Sequence, residues 1–143
     1  MKSEKQHSIT SNLQFFYYLR NNLGEKQMAE IKIYHKPTCS KSRAGLKYLQ
    51  EKGVEFDIIK YYETPFTKNK LKTLLKKMGM KPAELLRKNE AAYKELDFKN
   101  KKYTQDEIID FMVNDPSLIE RPIIEKGEKA VVARPTEKID ELI

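Results

Sequence analysis

An alternating apolar run, Ile31-Lys32-Ile33-Tyr34, leads into a helical pattern that begins at Ser40. The alternation predicts a strand over residues 30–34, and the spacing that follows predicts a helix over residues 40–52, ended by Gly53. Residues 56–61 predict a second strand. A strand, a crossover helix and a second strand normally form a parallel pair, so the chain must build a sheet with a helix packed on one face.

The rest of the chain predicts helices first and then a β-hairpin. The predicted elements are a helix capped by Thr67 and running to Met78, short helices over 83–87 and 91–96, a helix from a Thr104–Glu107 capping box to Asn114, hairpin strands at 122–125 and 130–133, and a closing helix over 136–143. Five lysines on the polar face of the 67–78 helix are interpreted as solvated surface. This order predicts an α/β, thioredoxin-like mixed sheet with a helical insertion between the second strand and the hairpin. Such a fold places a cis proline before the hairpin, and Pro122 is the candidate.

Residues 1–28 differ in pattern from the rest, and we expect one domain over residues 29–143. Residues 1–12 are polar, and a short aromatic patch follows at 13–19. The patch is too short to span a bilayer and lacks a cleavage site, so we expect no membrane segment and no secretory signal. We interpret residues 1–28 as a disordered extension or as the product of an upstream start, with Met28 as the true first residue. An amphipathic docking segment is the alternative.

The net charge of +7, from 28 Lys+Arg against 21 Asp+Glu, suits anionic partners. The excess is lysine scattered along predicted helices, which indicates solvated faces, so we expect no nucleic-acid partner. The two separated histidines and one cysteine give no ligand spacing for a metal.

Cys39 is the one cysteine of the chain, which excludes an internal disulfide and favours the cytoplasm, a reducing compartment. A lone cysteine is often a small buried apolar residue. Cys39, however, lies where a strand gives way to a helix, and free N–H groups and the helix dipole favour a thiolate there. His35, Ser42 and Arg43 flank it. This position indicates a nucleophile.

Three arginines occupy notable positions in this lysine-rich chain. Arg87 ends a Leu-Leu-Arg motif, Arg121 precedes Pro122, and Arg134 precedes Pro135. Surface arginines are the ordinary interpretation of each alone. The guanidinium fork, however, suits a tetrahedral oxyanion better than a lysine does.

The chain resembles the glutaredoxin-coupled arsenate reductases of the ArsC type, to which the Spx regulators are related. The resemblance covers about residues 31–143. The motifs that carry it are Ile33-Tyr34-His35-Lys36-Pro37-Thr38-Cys39-Ser40-Lys41-Ser42-Arg43, Leu85-Leu86-Arg87-Lys88-Asn89, Glu120-Arg121-Pro122-Ile123 and Ala133-Arg134-Pro135. The three arginines follow Cys39 by 48, 82 and 95 residues, as the oxyanion-binding arginines of the family do.

The resemblance implies that Cys39 attacks arsenate, which Arg87, Arg121 and Arg134 hold. It implies that glutathione is a co-substrate, that glutaredoxin supplies the remaining thiol, and that no cofactor is bound. His35 and Ser42 would tune the thiol, and the helix start up to Arg43 would lower its pKa. The chain stops nine residues after Arg134, in which it is similar to the shorter chromosomal members. Lys36 departs from the asparagine that many members carry.

Two alternatives to arsenate reduction stay open at this point. The first is an Spx-like regulator that binds RNA polymerase, although position 42 is serine where that resemblance usually includes a second cysteine. The second is a thiol oxidoreductase that acts on another oxyanion or thiol substrate. Arginines specify a tetrahedral oxyanion but do not specify which one.

Overall fold

The computed structural model describes residues 29–143; the predictions for residues 1–28 lie outside the described residues. The strands are β1 (Ile31–Tyr34), β2 (Phe56–Ile59), β3 (Ile123–Lys126) and β4 (Lys129–Val132). The α-helices are α1 (Ser40–Glu51), α2 (Lys68–Met78), α3 (Ala91–Leu96) and α4 (Gln105–Asn114), and 3-10 turns cover Pro82–Leu85, Pro116–Leu118 and Thr136–Glu141.

The four strands form one mixed sheet in the order β2-β1-β3-β4. β1 runs parallel to β2 and antiparallel to β3, so that Ile33 lies between Ile58 and Ile124. β3 and β4 form the antiparallel hairpin. This arrangement is the thioredoxin-like α/β fold that the order of elements predicts, with α2, α3 and α4 inserted before the hairpin.

Alternation along the strands divides the core into two clusters. In β3, Ile123 packs with α2 and α4, whereas its neighbour Ile124 packs with α1 and the closing 3-10 turn. Successive strand residues point to opposite faces, so both faces of the sheet are covered.

Local capping explains where two of the helices begin. At the start of α2, the Thr67 side chain accepts a hydrogen bond from the Lys70 N–H at 3.1 Å. At the start of α4, Thr104 and Glu107 form the predicted capping box, because each side chain accepts from the other residue's backbone N–H. Gly79 ends α2 in the left-handed conformation, with φ 63°.

Several predicted bounds and one surface differ from the structure. Strand β2 ends at Ile59 rather than residue 61, the predicted helix over 83–87 is a 3-10 turn that ends at Leu85, and the closing helix is also a 3-10 turn. The interpretation of the α2 lysines as solvated was wrong for Lys70 and Lys77, whose ammonium groups bind the buried Glu125. Helical spacing shows which lysines share a face but does not show which buried acid lies beside it.

Candidate active site

Cys39 is the N-cap residue of α1, with extended backbone angles and a partly exposed side chain. Its N–H donates to the Lys36 carbonyl at 3.0 Å, and its carbonyl accepts from the Arg43 N–H at 3.0 Å. The thiol forms no capping hydrogen bond. The sulfur therefore lies at the positive end of a helix.

The pKa of the Cys39 thiol reflects two opposed effects. Burial raises the pKa, but the Arg121 guanidinium and the backbone N–H groups of Ser42 and Lys41 outweigh it and lower the pKa to about 7. A large fraction of the sulfur is therefore thiolate near neutral pH, and the thiolate is the reactive form.

Arg121 is 7% exposed, and its guanidinium is only partly hydrogen-bonded. Nη1 donates to the Tyr62 hydroxyl at 3.1 Å, and Nη2 lies 3.9 Å from Glu90 Oε1. Nε is buried and has no partner. The guanidinium also interacts with the Cys39 sulfur, and the buried N–H group left without a hydrogen bond is a donor that an acceptor from outside the chain can use.

The peptide bond between Arg121 and Pro122 is cis, as predicted for Pro122. Pro122 packs directly against α1, because a Cβ added at Gly45 would lie 2.7 Å from Pro122 Cγ. The helix that carries Cys39 and the loop that carries Arg121 therefore meet at these two residues.

Arg87 comes beside Arg121 through a contact between distant segments. Leu86 forms an isolated antiparallel bridge with Ile119, flanked by a 2.8 Å bond from the Arg87 N–H to the Leu118 carbonyl. The Arg87 side chain then shares Glu90 with Arg121, since its Nε lies 3.3 Å from Glu90 Oε1. Its Nη1 is buried without a partner.

Arg134 has a different partner from the other two arginines. Its Nη1 forms a hydrogen bond and ion pair with Glu120. The side chains of Arg134 and Glu120 line a cavity of about 680 Å³ alongside β4. Among the described residues that line this cavity, Cys39 does not occur. Arg121, and not Arg134, contributes to the lowered pKa of the thiol. The structure therefore joins two of the three predicted arginines, and the third is held by Glu120.

The supporting residues fix the loop that leads to Cys39. Ser42 is fully buried, and its hydroxyl accepts from the Lys36 N–H at 3.1 Å. Arg43 Nη1 donates to the Pro37 carbonyl at 3.0 Å. His35 is buried with Nδ1 unpartnered, and burial, with the charges of Arg43 and Lys60, lowers its pKa, although a hydrogen bond with the Ser42 backbone opposes this. A neutral imidazole therefore adjoins the loop.

Comparison with known proteins places this geometry in a family. The family model described as the ArsC family matches residues 34–142. The chain belongs to the ArsC family.

The relatives of this ArsC protein share most of their length with it. It is 44% identical to the uncharacterized protein YfgD of Escherichia coli strain K12, over 80% of this chain and 97% of that protein. It is 39% identical to an arsenate reductase of Neisseria meningitidis, over 81% of this chain and 100% of that protein. The solved structure of an arsenate reductase from Vibrio cholerae is similar with a TM-score of 0.76 and 35% identity, covering 82% of this chain and 100% of that one.

Three residues that contact the predicted arginines were not predicted from the sequence, namely Tyr62, Glu90 and Glu120. Glu90 follows Arg87 at a spacing of three residues, which is a signal for an ion pair that the sequence did offer. Glu120 directly precedes Arg121 but pairs with Arg134. Tyr62 lies just beyond β2, where its ring also stacks 4.4 Å beneath the Lys36 ammonium.

Within residues 29–143, no three histidine, cysteine or acidic side chains are grouped as a metal site would require. Over the same range, no helix is both long and apolar enough to cross a membrane.

Proposed function

We propose that this ArsC protein reduces arsenate to arsenite, with Cys39 as the nucleophile. The observation that carries the proposal is the partly ionised thiol beside Arg121, whose buried Nε lacks a partner. A thiolate supplies the attacking sulfur, and free guanidinium donors supply hydrogen bonds to oxygens of the anion. The arsenate reductases among the relatives support the choice of anion.

In the first step, the Cys39 thiolate forms a bond to arsenic, and one arsenate oxygen, carrying two protons from the anion's hydroxyls or from solvent, leaves as water. Arg121 and Arg87 neutralise the charge on the remaining oxygens. We include Arg134 in this set, which requires its side chain to leave Glu120. His35 and Ser42 keep the loop in place, and the helix start at Ser40–Arg43 stabilises the thiolate before attack.

The electrons come from outside the chain in this proposal. Reduction of arsenic by two electrons oxidises two thiols to one disulfide, and the chain has one cysteine. Glutathione, as co-substrate, forms a second sulfur–arsenic bond and displaces a second oxygen as water. A glutaredoxin thiolate then attacks the glutathione sulfur and leaves with it as a mixed disulfide, and the electron pair of the broken sulfur–arsenic bond reduces As(V) to As(III). Water then hydrolyses the bond between the Cys39 sulfur and As(III), which releases arsenite and restores the thiol. Because these thiols must stay reduced, we propose that the protein works in the cytoplasm.

An NADPH-coupled assay with arsenate, glutathione, glutaredoxin and glutathione reductase tests the proposal. We expect wild type to consume NADPH and the Cys39→Ser variant to show only background, because a hydroxyl is a much weaker nucleophile than a thiolate near neutral pH. Ser40→Ala is a matched control that alters the adjacent residue and keeps the thiol. Full turnover by Cys39→Ser would refute the proposal.

The alternative of a different oxyanion has one observation in its favour. The unpartnered donors of Arg87 and Arg121 suit any tetrahedral anion, since arsenate, phosphate and sulfate have nearly the same shape. Arsenate differs by being reducible by thiols. Binding of phosphate together with no arsenate-dependent NADPH consumption, in the presence of active glutaredoxin, would favour this alternative.

A further inference from the structure

Glu90 has an unusual role for a residue at a helix start. It is the N-cap residue of α3, yet its side chain makes no capping hydrogen bond. Instead its Oε1 lies 3.3 Å from Arg87 Nε and 3.9 Å from Arg121 Nη2. One carboxylate oxygen therefore lies between two guanidinium groups.

This carboxylate satisfies the two arginines only in part. Two guanidinium groups carry two positive charges, and Glu90 supplies one negative charge. Arg87 Nη1 and Arg121 Nε stay buried without a partner in its presence. A tetrahedral anion brings four oxygens and greater charge, so it can satisfy donors that a single carboxylate leaves free.

Glu90 is more accessible to solvent than the arginines that it contacts. Its side chain is 30% exposed, whereas that of Arg121 is 8% exposed. Turning outward would return the carboxylate to water and restore its hydration, which offsets the lost ion pairs, while the more buried Arg121 guanidinium stays in place. Glu90 lies outside both the loop of Cys39 and the β-hairpin, so its movement acts on the thiol only through Arg121.

We propose that Glu90 is a positioning residue that acts as an internal counter-anion of Arg87 and Arg121. In the free protein its carboxylate occupies part of the hydrogen-bonding surface of these arginines, and an incoming tetrahedral oxyanion replaces it. The inference rests on the proposed function for the identity of that anion. The inference extends the proposed function by naming a residue of this chain that opposes anion binding.

If Glu90 competes with the anion, removing its charge strengthens anion binding. If Glu90 only held the two arginines in place, removing its charge would weaken anion binding or leave it unchanged. The Glu90→Gln variant keeps the shape and removes the charge, so anions no longer compete with a carboxylate. We expect inorganic phosphate to bind about tenfold more tightly, which corresponds to about 1.4 kcal/mol. The pKa of Cys39 should also fall, because Arg121 then has no competing anion.

The experiment uses the full chain, reduced, in three forms: wild type, Glu90→Gln, and Glu95→Gln as the matched control. Glu95 is an exposed residue of α3, so its variant has the same change in net charge. Calorimetric titration with inorganic phosphate gives the affinity, and the pH dependence of alkylation by iodoacetamide gives the thiol pKa. Tighter phosphate binding and a lower pKa in Glu90→Gln alone would support the proposal.

Unchanged or weaker phosphate binding by a folded Glu90→Gln protein would overturn it, since Glu90 would then only brace the arginines. If that variant fails to fold, Glu90→Asp decides, because it keeps the charge and withdraws the carboxylate by one methylene. Tighter binding by Glu90→Asp supports the proposal, and unchanged binding overturns it. Neither readout uses arsenate turnover, so failure of the proposed reduction would be seen separately.

Discussion

The strand β3 has a buried charged residue close to each end, and the two are satisfied very differently. Glu125, within β3, accepts hydrogen bonds from the Tyr34 hydroxyl at 2.7 Å, Lys77 Nζ at 2.7 Å and Lys70 Nζ at 3.0 Å. Arg121, before β3, leaves its buried Nε without a partner. The first group is saturated by the chain itself, whereas the second retains capacity for a ligand.

The comparison separates a structural charge from a binding charge. Burial raises the pKa of Glu125, but Lys77, Tyr34 and Lys70 outweigh it and lower the pKa to about 2. Such a carboxylate stays ionised and fixed, and its loss would leave two ammonium groups without their partner. Arg121 instead combines an incomplete set of partners with a neighbouring thiol. Variants at the two positions should therefore affect different measurements.

The largest effect should follow from Arg121→Lys, which keeps the charge and removes the guanidinium fork. We expect arsenate-dependent turnover to fall by about 10²–10³-fold, the usual cost of losing one donor to a reacting oxyanion. The free energy of unfolding should change little, because the lost donors were not all paired. The coupled assay and urea denaturation measure the two quantities.

Arg43→Lys is the matched control, since the Arg43 guanidinium bonds only the Pro37 carbonyl among the described residues. It should lose less than about tenfold in turnover, as expected for a residue that supports the loop at its exposed side. Equal losses from both substitutions would contradict the assignment of Arg121 to the anion.

Glu125→Gln should show the opposite profile. We expect the free energy of unfolding to fall by about 2–4 kcal/mol, because Lys70 and Lys77 lose a buried carboxylate. Turnover per folded molecule should stay near wild type. Glu63→Gln, at an exposed position, should change stability by less than about 0.5 kcal/mol. Loss of turnover without loss of stability in Glu125→Gln would contradict the assignment of Glu125 as a structural charge.

Wild type and Glu125→Gln should also differ in how their free energy of unfolding changes at acidic pH. A carboxyl whose folded-state pKa is lowered stabilises the fold above its unfolded pKa and loses that contribution as pH falls towards its folded pKa. For Glu125 the window runs from its ordinary value of 4.5 down to about 2. Wild-type stability should fall through this window, and the decline should be shallower in Glu125→Gln. Urea denaturation at several acidic pH values checks this.

Gly45→Ala tests how closely helix α1, which follows Cys39, must approach Pro122, which follows Arg121. A Cβ at Gly45 would lie 2.7 Å from the Pro122 ring, which cannot turn aside as a flexible side chain can. We expect a loss of about 1–3 kcal/mol in stability, as for an overpacked core, together with reduced turnover. Lys47→Ala, at an exposed position of α1, should lower neither the stability nor the turnover. A fully stable and active Gly45→Ala protein would show that α1 can shift freely.

The smallest effect concerns thiol reactivity. The rate of Cys39 alkylation should rise with pH through about 7, because the thiolate forms above the lowered pKa. Replacing Arg121 by methionine removes a neighbouring positive charge, so the midpoint should move upward by about one to two pH units. Iodoacetamide labelling followed by mass spectrometry gives both curves. A midpoint that does not move would assign the low pKa to the helix start alone.

The sequence predicted the parts of this molecule that depend on local pattern. The strand before Cys39, the Thr104–Glu107 capping box, the hairpin and the cis proline at 122 were confirmed. The strand, the capping box and the hairpin rest on residues that are close in the chain, where spacing and capping chemistry are visible, whereas the cis proline was expected from the predicted fold. The roles assigned to Cys39 and the arginines stay predictions until the variants are made.

What the sequence could not predict depends on contacts between distant segments. The resemblance implied that Arg87 and Arg121 act together, but the bridge from Leu86 to Ile119 that brings them side by side has no periodic signal. The choice of partner was equally hidden, since Arg134 pairs with Glu120. Acids next to basic residues in sequence can bind another arginine once the chain folds, and only the fold determines which.

The bridge from Leu86 to Ile119 determines how far the length of the segment between these two residues can be changed. Two backbone bonds, Arg87 N–H to Leu118 and Glu120 N–H to Leu85, join the start and the end of the intervening segment. The segment between them leaves the site after Glu90, which contacts both arginines, and returns to it at Leu118, so the length of chain beyond Glu90 does not set the spacing of Arg87 and Arg121. Within the connection between α3 and α4, Phe98 and Tyr103 pack against the core, so the exposed residues 99–102 are the practical place to insert a reporter or affinity handle away from the anion pocket.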